Sequence, residues 1–118
     1  MTELQQLRKG STTILILSLL AEGNKHGYAI MRELEQRSEG YFSMTAALLY
    51  PTLHQMEKDG LVTSEWEKSP GQHKRKIYAI TPAGRQYLTN GQAEWRRFVE
   101  QLFKTLHGPA SLHLERTP

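Results

Sequence analysis

The sequence contains no cysteine, which excludes a disulfide framework and any thiolate metal site. It has no long apolar run either. The richest stretch, Ile14 to Ala21, follows Arg8 and Lys9 and so imitates a signal peptide. However, no small residue stands at the −3 position before a plausible cleavage point, and the run falls well short of the roughly 20 residues that span a bilayer. A buried helix and a cytoplasmic chain are expected instead. Charge of one sign is also scarce, with fifteen Lys and Arg against twelve Asp and Glu for a net +3. With so mild an excess, the placement of the cations matters more than their number. Catalytic signatures are missing as well: no Gly-x-Ser-x-Gly elbow, no phosphate-cradling glycine loop and no His-Glu-x-x-His. The histidines at 26, 54, 73, 107 and 113 are scattered, and Glu33 and Glu35 fall on different helix faces. No catalytic residue, cofactor or metal is expected.

What is present suits one globular domain of 118 residues, 38% hydrophobic and 23% charged. Ser11 is a good N-cap for a first helix that Glu22-Gly23 stops. A turn at Asn24 to His26 leads into a second helix over 27–38, ended by Gly40. Ser43 or Thr45 can cap a third helix, closed by Asp59-Gly60 in the manner of a C-cap glycine. The period then shortens to two. Residues 61–67 and 75–80 alternate as strands around the turn signal Pro70-Gly71, which makes a β-hairpin. Thr81-Pro82 then restarts a helix with a cap and a proline at its first position, and nothing interrupts it before about His107. At 1.5 Å per residue it is about 40 Å long. Gly108-Pro109 ends it and residues 110–118 read as a frayed tail.

The expected fold is therefore mainly α with a small β-hairpin: a winged helix-turn-helix over residues 1–81, a long C-terminal dimerisation helix over 82–107, and a tail over 108–118. In that fold the second helix of the motif enters the DNA major groove. The third helix carries one oddity, since Pro51 sits inside it, where a proline removes a backbone donor and costs about 3 kcal/mol. On a wheel at 100° per residue Leu49, Leu53 and Met56 share one side, while Ala47, Leu48, Pro51, His54, Gln55 and Lys58 share the other, with Tyr50 flanking. Pro51 then bulges outward from an early turn and leaves the apolar stripe intact. A tolerated kink with no role in binding gives the same pattern.

The outward face is small at its start and polar at its end, as base-edge and phosphate contacts require. Leu48 is placed to meet a thymine methyl, Tyr50 a phosphate and Gln55 an adenine. His73, Lys74, Arg75 and Lys76 form the densest basic cluster. They read as a wing laid along phosphates or as a solvated strand edge that lysine protects from pairing. Arg75 could also turn inward to Glu57.

The last helix presents Leu88, Trp95, Phe98, Val99, Leu102, Phe103 and Leu106 as an apolar stripe at nearly heptad spacing. A surface of that size usually marks an interface, and a second copy, helped by Leu4 and Leu7, is the economical cover.

Gly10, His26-Gly27-Tyr28, Leu49-Tyr50-Pro51 with Leu53, Glu57, Gly60-Leu61, Trp66, Lys74-Arg75-Lys76 with Tyr78, and Ile80-Thr81 with Gly84 occur in an order that resembles the PadR family of bacterial transcriptional regulators, over about Leu7 to Leu106. The resemblance implies a winged-helix homodimer that represses transcription, often of its own gene or of a detoxification or transport operon. It places Tyr50 and Pro51 on the recognition helix. The chain departs from the common pattern at Ala47-Leu48, where many members carry glycine and threonine. The resemblance also gives Trp95 a second reading beside core packing, as a platform for a flat aromatic or hydrophobic effector. The rival reading is a winged-helix dimer that docks proteins and binds no DNA, which an acidic or apolar recognition face would favour.

Overall fold

The computed structural model describes residues 2–67 and 74–108. The Pro70-Gly71 turn, His73 and the tail beyond Gly108 lie outside the described residues. Helix α1 spans Glu3–Gly10 and α2 spans Thr12–Leu20. A capping box starts α1: Thr2 Oγ1 accepts from the Gln5 amide at 3.1 Å, and the Gln5 side chain accepts from the Thr2 amide at 2.9 Å. Ser11 does not cap the apolar helix as expected. Its backbone is helical and its hydroxyl donates to the Arg8 carbonyl at 2.8 Å, so it is a one-residue joint between two helices. The expected first helix is thus α2, and a further helix, α1, capped at Thr2, precedes it.

Helix α2 is apolar nearly all round and buries Ile16, Leu17, Leu19 and Leu20. Strand β1, Lys25–His26, follows where a turn was expected. It pairs antiparallel with β3 (Lys76–Ile80), Lys25 opposite Tyr78 and His26 opposite Ile77. Strand β2, Val62–Trp66, pairs with the other edge of β3, Val62 opposite Ile80 and Trp66 opposite Lys76. The wing is accordingly a three-stranded antiparallel sheet in the order β1-β3-β2, one strand more than a hairpin. Two residues are too few to show an alternating pattern, so β1 left no periodic signal.

Helix α3 spans Gly27–Arg37 and α4 spans Ala46–Lys58. Of the two candidate caps for α4 the structure uses Thr45, whose hydroxyl oxygen accepts from the Leu48 amide at 3.3 Å. At its other end Gly60, with φ +77°, lets the Leu61 amide reach the Met56 carbonyl (2.9 Å) and its own amide reach Glu57 (3.1 Å). These two bonds form a Schellman closure. The chain turns there into β2 and so fixes the wing beside α4.

Helix α5 runs Pro82–His107, as expected. Thr81 Oγ1 accepts from the Gly84 amide at 2.9 Å and donates to the Gly60 carbonyl at 2.6 Å, which ties the start of α5 to the end of α4. The chain divides into two compact units, one up to Leu88 and one from Thr89. In the first, Ile16, Leu17, Leu20, Ile30, Leu49, Leu53 and Val62 form the fully buried centre of the core. Leu88 joins that core at 8% exposure. It is covered by its own chain, which corrects its assignment to a surface that awaits a second copy.

Candidate nucleic-acid interface

Helix α4 divides sharply. Leu49, Leu53 and Met56 face the core at 0, 0 and 2% exposure, while Ala47, Leu48, Tyr50, Pro51, His54, Gln55 and Lys58 are all exposed. Pro51 lies on the outer face, as the wheel requires. The carbonyl of Leu48, next to the interruption, takes a bond from Thr52 Oγ1 at 2.8 Å. The proline therefore leaves the buried stripe undisturbed and shapes only the outer surface.

Tyr50 lies against the start of α3. A Cβ on Gly27 would come within 2.8 Å of the Tyr50 ring and its hydroxyl, so any side chain there would oblige the outer end of the tyrosine to shift. Beside it opens a cleft of about 410 Å³, whose lining includes Tyr28, Tyr50, His54, Trp66, Lys74 and Lys76. The cleft brings the wing-side flank of α4 together with the described part of the basic cluster. Lys74 is exposed, and Lys76 Nζ sits 5.2 Å from the centre of the exposed Trp66 ring. That stacking was not anticipated. The alternation of Val62, Ser64 and Trp66 was the available signal, since it put Trp66 on one face with nothing assigned to cover it.

Arg75 turns to Glu67 at 3.3 Å and not to Glu57. Glu57 instead accepts from the Ser64 hydroxyl at 2.9 Å and so links α4 to β2. The Glu67 carboxylate also meets His26 Nε2 at 3.3 Å, and His26 Nδ1 lies 3.3 Å from the Lys76 carbonyl. This arrangement fastens the first turn of α3 to the wing. Burial pushes the Tyr78 hydroxyl above the usual tyrosine range, with Tyr50 and Glu57 adding to the shift, so Tyr78 stays neutral beneath the cleft.

On the other flank, Gln55 Nε2 donates to Asp59 Oδ1 at 3.0 Å, so its amide is committed within the chain. Reading an adenine would require that bond to open. Among the described residues no group of three or more His, Asp or Glu side chains could hold a metal ion, and no helix is long and apolar enough to cross a membrane.

The remaining candidates for the second-copy surface stay uncovered. Phe98, Val99, Phe103 and Leu106 are 41 to 64% exposed, Trp95 and Leu102 are half-buried, and Trp95 meets Phe98 edge to face at 5.7 Å. In α1, which buries no residue, Leu4 is exposed and Leu7 half-buried.

Residues 16–90 match the family described as the transcriptional regulator PadR-like family. A transcriptional regulator of Mycobacterium tuberculosis is 33% identical over 108 residues, which is 92% of this chain and 94% of that protein. The crystal structure of a PadR family transcriptional regulator from Eggerthella lenta superposes with a TM-score of 0.80 at 31% identity, covering 89% of each chain. Bacillus subtilis PadR in complex with operator DNA superposes with a TM-score of 0.64 at 25% identity, covering 69% of this chain and 46% of that one.

Proposed function

The chain belongs to the PadR-like family of transcriptional regulators, and on that premise we propose that it acts in the cytoplasm as a homodimeric repressor of an inverted-repeat operator. One observation carries the reading: α4 lays an outward strip of Ala47, Leu48, Pro51, His54 and Lys58 over a fully buried stripe, beside Lys74 and Lys76 of the wing. Such a helix enters the major groove, where small apolar groups meet base edges and cations meet phosphates. The DNA-bound relative from Bacillus subtilis supports the same use of the fold. Two copies joined through the exposed face of α5 would present two α4 helices, and half-sites about 34–36 Å apart would suit them.

Repression follows if the dimer covers a promoter. Release by a flat hydrophobic effector at Trp95 completes the proposal, because Trp95 is only half-buried and already engages one aromatic ring edge-on. Binding of duplex DNA by the Lys74→Ala/Arg75→Ala/Lys76→Ala variant tests the wing. The log–log salt slope should lose about one unit for each phosphate contact removed. An unchanged slope would take the wing off the DNA, and a wild-type chain that binds no duplex would leave the protein-docking reading in its place.

A further inference from the structure

Arg8 and Lys9 play no part in the interface described so far. They fill the last turn of α1 and are exposed, and Arg8 is held with its guanidinium 4.3 Å from the centre of the Tyr41 ring. On α1, at 100° per residue, Lys9 falls opposite the side that carries Leu4 and Leu7 and Gln5 shares its half of the wheel, while Arg8 flanks Leu4.

The surroundings of α4 give these two cations a position. Tyr50 and His54 line the cleft on one flank of the helix, the one shared with the wing. Along the other flank runs a groove of about 670 Å³, with Lys9, Thr12 and Thr13 on one wall and Leu48, Pro51 and Gln55 on the other. A second groove of about 580 Å³ shares Lys9, Thr12 and Leu48 with it and adds Gln5 and Arg8. Leu48 is therefore the ridge between two grooves whose lining cations are Arg8 and Lys9. Among the described lining residues the one carboxylate is Asp59, at the C-terminal end of α4, and it accepts from Gln55.

An α-helix with its side chains is about 10–12 Å across and the major groove about 12 Å wide. A helix that enters the groove fills it, so both flanks come against phosphates, one strand on each side. The wing supplies cations to one strand. We propose that Arg8 and Lys9 grip the backbone of the other, so that α4 is held between two basic strips. This inference rests on α4 being the DNA-facing helix. It also explains Ser11: a one-residue joint between α1 and α2 carries the end of α1 to the flank of α4.

The test compares the full-length wild type with an Arg8→Gln/Lys9→Gln variant, binding a random-sequence duplex between 50 and 200 mM salt. Two lost phosphate contacts should reduce the log–log slope by about two units, so that the loss of affinity across that range becomes about tenfold smaller. The charge-preserving Arg8→Lys/Lys9→Arg variant should keep the wild-type slope. A wild type that binds while the double glutamine variant shows the same slope overturns the proposal and leaves the DNA reading standing. A wild type that binds no duplex overturns the DNA reading itself. Phosphate-ethylation interference with unmodified protein gives an independent answer: interference on both strands bordering the groove supports the grip, and interference on the wing strand alone refutes it.

Discussion

Gly84 shows how closely α5 approaches the wing. A Cβ there would lie 2.2 Å from the Leu61 carbonyl oxygen, a backbone atom that cannot step aside. Gly84→Ala should therefore destabilise the chain by about 3 kcal/mol, measured by urea unfolding, since overpacking against a fixed backbone has no cheap relaxation. At the wing, Arg75 is already paired with Glu67 while Lys74 is exposed. Lys74→Ala should consequently lower the magnitude of the salt slope by about one unit, and Arg75→Ala by less. A third residue-scale effect concerns pH. The Arg37 guanidinium donates to both Glu22 oxygens and holds that carboxyl below the usual glutamate range, with Lys25 adding a smaller pull. A carboxyl whose folded pKa is depressed contributes stability above its unfolded pKa and loses it as pH falls through the folded value. The gap in melting temperature between wild type and Glu22→Gln should be widest near neutrality and close on acidification.

At the scale of elements, α4 is where sequence and structure agree most closely. The spacing of Leu49, Leu53 and Met56 defined its buried side, and Pro51 fell on the exposed side because a proline can only be tolerated where the stripe does not need it. Leu48→Thr changes that outer face without touching the stripe. It should leave the melting temperature and random-duplex affinity unchanged while altering base preference at one symmetric position, read by selection from random duplexes. The same sites from both proteins would make Leu48 a packing residue. Elements with weaker local signals were less legible. β1 is two residues long and exists through its pairing with β3, a contact some fifty residues away in sequence. The joint at Ser11 escaped because serine favours caps, and here its hydroxyl bonds backwards to Arg8 instead. Trp66 stacked under Lys76, and Arg75 turned to Glu67, depend on the register of β2 against β3, which an alternating pattern does not specify alone.

The whole molecule presents a division that its sequence only partly disclosed. The apolar stripe of α5 reads as continuous from Leu88 to Leu106, yet Leu88 belongs to the core of the first unit, while Phe98, Val99, Phe103 and Leu106 remain open to solvent. A stripe in sequence cannot distinguish positions covered by the same chain from positions that need another. If a second copy covers the open part, Phe103→Glu/Leu106→Glu should convert a dimer to monomers in sedimentation velocity, because two buried anchors become charges with no partner. The melting temperature of the first unit should hardly move. The most direct measurement of the account as a whole is selection of sites bound by the wild-type chain from random duplexes. It should return an inverted repeat with half-sites about one helical turn apart. A single unrepeated half-site, or no enriched site at all, would contradict a dimer that reads DNA through two α4 helices.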